Sequence, residues 1–366
     1  MSAAQPFSDN ELQRLRIALK AKRLSIDEVL GYGGMGVVLK GYDLEVNRDI
    51  AIKVIRPGLL DDPRALEQFQ NEMEILGQLH HAAIVSVFGA GVVRESPYFT
   101  MSYVAGESLD AALQHRGELG DPFTAQETAE LLRPIAYALD YLHSRPTPVF
   151  HRDVKPSNIL IPAADSTFSE AAVLADFGIS SIQEQFIERD SLVVGTEPYL
   201  APEWFTWNGR SAMGAPPSEF SDQYALAVTA FEMMTLRTPM HQMTREQWRY
   251  QRSPVNMRRV NFARADSGRI RALKEVFEQG LSLEPTERFR TCTSLIDALS
   301  HAPENRKPQQ PAGLPVAGAK KADGASKVVY VKKGQPLWKR ALLWIFALIA
   351  FPVVLMLLSQ GLVAIT

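Results

Sequence analysis

Cysteine is almost absent: among 366 residues the only one is Cys292. A disulfide within the chain is therefore excluded, and the folded part fits a reducing compartment. Set in FRTCTSLIDAL, a stretch that reads as helical, Cys292 is expected to be a small core filler. Net charge is also scarce. At −2 it supplies no global pull toward nucleic acid or acidic lipid, so no nucleic-acid partner is expected and any electrostatic preference must be local. No internal repeat is visible. The first twenty residues lack the apolar run that a secretion signal needs, because charges interrupt it. They read instead as a helical extension over residues 1–23. Ser8 and Glu11 have capping-box spacing, and Leu12, Leu15 and Leu19 form an apolar stripe.

What the chain does have is 46% hydrophobic and 22% charged residues, the balance of a protein with a sizeable core. One uninterrupted apolar run stands apart. Ala341 to Leu358, ALLWIFALIAFPVVLMLL, carries no charge, and a bilayer span needs about 20 such residues. A transmembrane helix is expected over 338–363, with Pro352 tolerated inside it. Lys327, Lys332, Lys333, Lys339 and Arg340 precede this run and no Lys or Arg follows it. The positive-inside rule then places everything before residue 340 in the cytoplasm and the C-terminus outside, a single-pass protein of the inner cell membrane without room for an external sensor domain. Residues 301–337, rich in Pro, Ala, Gly, Gln and Lys, read as a disordered juxtamembrane linker whose basic end can touch anionic lipid.

Near the other end, EVLGYGGMGVVLKGYDLEVNRDIAIKVI alternates apolar stretches with Gly- and Asn-containing turns, a sheet pattern. Gly31, Gly33 and Gly36 make a G-x-G-x-x-G. The β-type Val37-Val38-Leu39 come next, where a dinucleotide turn leads into a helix. A hairpin with bare N–H groups able to cover phosphates fits better. Lys53 interrupts the β-rich AIKVI; a solvent-facing strand lysine looks the same. The next segment favours a buried role. DDPRALEQFQNEMEILGQL has helical period through Leu66, Phe69, Met73 and Leu76, and Glu72 lies along that stripe. A carboxylate facing the packed side needs a partner, and Lys53 on a strand beneath is the natural one. Such a pair positions groups better than it stabilises a fold.

The stretch HRDVKPSNIL, His151 to Leu160, crowds ionisable groups against apolar neighbours. That is costly unless they are paired or used. After it come DFG at Asp176–Gly178 and APE at Ala201–Glu203. Taken in order with the glycine loop and the lysine of AIK, these motifs resemble a eukaryotic-type protein kinase domain. GYGGMGVV and HRDVKPSNILI are particularly similar to the bacterial Hanks-type serine/threonine kinases, and the resemblance covers about residues 24–300.

The resemblance implies an α+β, two-lobed fold: a small β-rich N-lobe with one key helix, about 24–101, and a larger helical C-lobe, about 105–300. It implies ATP and Mg²⁺ (or Mn²⁺) as cofactors and Ser/Thr-bearing proteins as substrates. Asp153 is then the base, with Lys155 beside the transferred phosphoryl group, Asn158 and Asp176 as metal ligands, and Lys53 held by Glu72 on the α- and β-phosphates. Leu30, Val38 and Ala51 roof the adenine, Leu160 floors it, Met101 is the gatekeeper, and main-chain groups of Ser102 and Val104 read the base. Thr196 belongs to the substrate platform. Arg152, Glu203, Asp222 and Arg288 are structural, with Asp222 anchoring the catalytic loop and Arg288 paired with Glu203. Ser180, Ser181 and Ser191 are candidate phosphosites, Ser191 favoured by position, with Arg152 as the dock. Residues 162–172 are longer than the family pattern and read as a surface hairpin extension. Self-association on a membrane would favour phosphorylation in trans. Three readings compete: a pseudokinase, a small-molecule kinase and a membrane scaffold. The first is weakened because Lys53, Asp153 and Asp176 are all present.

Overall fold

The computed structural model describes residues 7–33, 35–60, 63–176, 197–206, 218–244, 247, 255–262, 264–265 and 267–302. The leading helix α1 spans Asp9–Lys20. Its capping box is complete: Ser8 Oγ accepts the Glu11 N–H at 3.3 Å, and the Glu11 carboxylate accepts the Ser8 N–H at 2.7 Å. Two of the four orphan donors at the helix start are thereby satisfied.

Behind α1, strands β1 (Leu24–Gly33), β2 (Gly36–Asp43), β3 (Arg48–Ile55), β4 (Val87–Val93) and β5 (Ser96–Ser102) form an antiparallel sheet in the order β1-β2-β3-β5-β4. Both faces of this sheet are covered. On one, Phe7, Leu15 and Leu19 of the α1 segment bury against Leu24, Val37, Leu39, Ile50, Ile52 and Val54. Each such side chain contributes about 1.5–3 kcal/mol. On the other lies helix α2, Pro63–Gly77, burying Ala65, Phe69, Met73 and Leu76. The N-terminal segment is thus the third layer of the small lobe.

The large lobe is built on helix α6, Glu219–Thr235, nearly all of whose residues are buried. An apolar helix without a polar face belongs at the centre. Around it stand α3 (Leu109–Leu119), α4 (Ala125–His143), the short α5 (Pro202–Thr206), α7 (Ser267–Gly280) and α8 (Cys292–His301). A second sheet, β6 (Gly106–Ser108), β7 (Ile159–Pro162) and β8 (Val173–Leu174), lies beside the cleft. Strands β7 and β8 pair through Ile159↔Leu174 and Leu160↔Val173, so residues 163–172 are the loop of a hairpin. Phe168 pins that loop to the core. The lobes meet where Leu174 donates its N–H to Ala83 at 2.8 Å and accepts from Val85 at 3.0 Å. Among the described residues no helix is long and apolar enough to cross a membrane. The expected span over 338–363 lies outside them, as does the linker beyond Ala302.

Candidate functional site

Two glycine requirements differ in the loop between β1 and β2. At Gly36, φ is +157°, and a Cβ would lie 2.0 Å from the Val54 carbonyl oxygen, so no other residue fits without moving β3. At Gly31 and Gly33 a Cβ would meet nothing within 4 Å. The first glycine is demanded by packing. The other two leave open space over the cleft, where a ligand can approach bare backbone. Beneath, Lys53 stands opposite Val38 on β2 and Phe99 on β5, and it is only 5% exposed. Leu30, Val38, Ala51, Met101, Val104 and Leu160 belong to one apolar cluster that continues from lobe to lobe. Ser102 gives its N–H to the Ser86 carbonyl at 2.9 Å, so a main-chain contact from Ser102 to a base must come from its carbonyl.

The loop from His151 to Asn158 is held from below by Asp222 on α6. That carboxylate accepts the N–H groups of His151 at 2.8 Å and Arg152 at 2.7 Å, and the imidazole Nε2–H of His143 at 2.9 Å. These three donors account for the turn at Arg152, whose φ is +65°. A left-handed arginine costs about 1–2 kcal/mol and persists because its neighbours fix it. Burial raises the Asp222 carboxyl, but the His143 hydrogen bond and the Arg152 N–H bring it below its ordinary value. His151 accepts the Asp153 N–H on Nδ1 at 3.3 Å, so its proton is on Nε2, which faces the Ala175 carbonyl at 3.2 Å. Complete burial depresses this imidazole and keeps it neutral despite the aspartates around it.

Asp153 receives Asn158 Nδ2 at 2.9 Å and Lys155 Nζ at 2.8 Å. The same Asn158 nitrogen also donates to the Asp153 carbonyl at 2.8 Å, which leaves Oδ1 as the atom the amide can offer to a cation. The Asn158 carbonyl accepts the Ala175 N–H at 2.8 Å, which sets Asp176 next to this loop. Asp176 has φ of +58°. Its carboxylate pairs with the Lys53 ammonium. Burial raises this carboxyl, and the charge and hydrogen bond of Lys53, with the charge of Lys155 beyond, bring it below its ordinary value. Asn158 Oδ1 and a charged Asp176 are hard oxygen donors of the kind that Mg²⁺ takes.

The pair expected between Lys53 and Glu72 is not the one formed: the ion pair of Lys53 is with Asp176. Glu72 lies on α2, half-buried, as the stripe requires. Both carboxylates are half-buried, and it is the position of Asp176, set beside the loop by the Ala175 N–H, that brings it to the ammonium.

Glu203 and Arg288 form a two-pronged pair, both N–O distances 2.8 Å. Ser221 donates to the same carboxylate at 2.7 Å, and Arg288 also reaches the carbonyls of Phe220 and Ser282. Burial raises the Glu203 carboxyl and Arg288 more than reverses it. Sequence reasoning missed His143 and Ser221. A histidine closing an apolar helix shortly before His151 was the available signal. Asp140, His143 and Cys292 also converge. The Asp140 carboxylate is occupied by the Cys292 and Thr293 N–H groups at 2.8 and 3.0 Å, capping α8, and the buried Cys292 thiol is pushed well up. Gly178, Ser180, Ser181, Ser191 and Thr196 lie outside the described residues.

Known proteins share this arrangement. The probable serine/threonine-protein kinase PknB of Corynebacterium glutamicum is 34% identical over 226 residues, 60% of this chain and 32% of that protein. Serine/threonine-protein kinase PknB of Mycobacterium tuberculosis is 29% identical over 297 residues, 79% of this chain and 44% of that protein. The chain therefore spans less than half the length of these curated relatives. The crystal structure of the Mycobacterium tuberculosis PknI kinase domain matches with a TM-score of 0.59 at 26% identity, over 77% of this chain and 96% of that one. Residues 24–306 match the family model described as protein kinase domain. That match runs from β1 through the glycine loop, the Asp222-anchored loop and Arg288 to the last described helix, and on it the chain belongs to the protein kinase domain family.

Proposed function

We propose that this chain is an ATP-dependent serine/threonine protein kinase. The observation that carries the reading is the meeting of Asp153, held by Asn158 and Lys155, with Asp176, held by Lys53, across one main-chain hydrogen bond. Phosphoryl transfer asks for positioning and charge neutralisation more than for covalent chemistry. Asp153 accepts the proton of an incoming hydroxyl. Lys155, already at its carboxylate, offsets negative charge on the group in flight. Lys53 turns from Asp176 to the α- and β-phosphates, with Glu72 placed to hold it there. Asn158 Oδ1 and Asp176 would hold a magnesium ion, which when bound would neutralise charge on the phosphates. The roof of Leu30, Val38 and Ala51 and the floor of Leu160 clamp adenine, and Ser102 and Val104 read its edge. The lysine in HRDVKPSN and the threonine at 196 favour serine and threonine as acceptors, and Ser191 is the preferred site of self-modification. Incubation with ATP, Mg²⁺ and a generic basic protein is expected to label the acceptor, and Asp153→Asn to lower the rate about 10²- to 10⁴-fold. Labelling that survives Asp153→Asn unchanged, or never occurs, would sink the reading.

The finer reading is of a single-pass protein of the inner membrane, its kinase domain in the cytoplasm. The uncharged run over 341–358 and the basic residues before it support this. Flotation of the full chain with vesicles, and its loss on truncation after residue 302, is the expected result. A tether concentrates neighbours, so self-phosphorylation should be faster on vesicles than in solution at equal bulk concentration.

A further inference from the structure

We infer that α1 is a positioning element for the glycine loop, acting through Arg16. This rests on the reading of that loop as the cover of ATP phosphates. Arg16 is half-buried, and its Nη1 donates to the Ile26 carbonyl at 3.3 Å. Ile26 is no ordinary strand residue. The β1–β2 register breaks between Ile26 and Glu28, and again between Val29 and Gly31. A strand at such a bulge loses regular partners, bends and re-aims the chain beyond it. Beyond this bulge lies the loop itself, Gly31 to Gly36.

β1 is the edge strand of the sheet, and its Ile26 carbonyl takes a donor from outside the sheet, the guanidinium. On the opposite side the strand cannot drift. Gly41 pairs with Ile26, and a Cβ on Gly41 would lie 2.1 Å from the Ser25 carbonyl oxygen. The root of β1 is thus pressed between Gly41 and Arg16. The helix carrying Arg16 is itself fixed, with Leu15 and Leu19 almost fully buried. Its other end addresses the same strand. Tyr32, in the loop, has its phenol raised first by burial and then by the charge of Asp9 in the first turn of α1. The contact that joins helix to strand is the Arg16 hydrogen bond at the bulge.

The test uses the full chain and three variants. Arg16→Ala keeps a strong helix former and deletes the donor; Arg16→Lys restores a donor; Leu19→Ala opens a cavity on the apolar face of α1 and keeps the Arg16 donor. Two measurements are made: amide hydrogen exchange over residues 28–37 without nucleotide, and KM for ATP against kcat. Expected for Arg16→Ala is faster exchange in that segment and a KM raised about three- to tenfold, as for a partly exposed charged hydrogen bond, with kcat within about twofold. Arg16→Lys should recover at least half of both changes. Leu19→Ala should lower the melting midpoint and leave KM alone. Unchanged exchange and KM in Arg16→Ala would overturn the inference. So would Leu19→Ala matching it at equal loss of stability, which would make α1 a mere cover for the sheet. The exchange readout needs no phosphotransfer, so a chain without kinase activity that still loosens at residues 28–37 separates failure of the functional reading from failure of this one.

Discussion

Asp222 is buried and Asp176 half-buried, both carboxyls stand below their ordinary value, and they are held in different ways. Asp222 is gripped by two main-chain N–H groups and an imidazole, donors that the fold fixes in place. Asp176 is gripped by a lysine, whose ammonium swings on a four-carbon stem. The first arrangement cannot exchange partners without unfolding a turn. The second can trade its partner for a phosphate or a metal. Burial and a lowered pKa alone therefore do not distinguish a structural acid from a working one; the mobility of the partner does.

That contrast breaks most visibly on substitution. Asp222→Asn puts an NH₂ group against N–H donors that have nowhere else to turn, and is expected to cost about 3–5 kcal/mol of unfolding free energy, as breaking a buried charged network does. Asp176→Asn should cost less than half of that, because Lys53 can rotate toward Glu72 or water, while phosphotransfer falls at least about a hundredfold. Urea unfolding of both variants beside the kinase assay checks this. Equal stability losses would show that the lysine is as fixed as the amides, and the distinction would fail.

The same physics decides how much of this was legible in the sequence. Spacing alone set Glu72 on the packed stripe of α2, and the capping box and stripe of α1 were legible as periodicity. The family resemblance put Asp222 under the catalytic loop and Arg288 on Glu203. Spacing could not rank two carboxylates for one lysine, since that depends on where the fold brings each of them. Nor could it say which surface α1 covers: a stripe of Leu12, Leu15 and Leu19 fits any apolar plane. Arg16 was invisible because its partner is a main-chain carbonyl next to a bulge on an edge strand, and bulges leave no clear trace in composition. His143 escaped for a similar reason, its meaning lying in a three-way meeting with α6.

The Glu203–Arg288 pair extends the contrast to a smaller scale. It resembles Asp222 in being fully enclosed, but its fork is a side chain. Arg288→Lys keeps the charge and loses the parallel pair together with the bonds to Phe220 and Ser282. A loss of about 1.5–3 kcal/mol is expected, seen as a lower urea midpoint at unchanged slope. An effect as large as that of Asp222→Asn would place this pair among the loop's own anchors.

The smallest expected effect joins the two aspartates. His151 gives its main-chain N–H to Asp222 and turns its ring Nε2–H toward Ala175, the residue before Asp176. Burial holds this imidazole below the ordinary 6.5, so the folded chain leaves it neutral where the unfolded chain begins to take a proton. The unfolded state then binds more protons, and stability falls as pH drops through 6.5, by at most about 1.4 kcal/mol per pH unit for one group. Asp222 and Glu203 act later: their depressed carboxyls contribute stability above their ordinary 3.8 and 4.5, lost only as pH falls through the folded values. In the interval from pH 6.5 to 4.5 the histidines work against Glu232, whose carboxyl burial raises above 4.5 and which gains stability as pH falls, so the decline is read in a Glu232→Gln background. His81 is also depressed by burial, though more exposed, and His81→Gln should leave most of the decline in place. In that background, an unfolding free energy that stays flat across the interval would mean that His151 takes its proton while folded. It would then donate from both nitrogens, give up its acceptance of the Asp153 N–H, and bind the two aspartates electrostatically where the structure joins them through neutral hydrogen bonds.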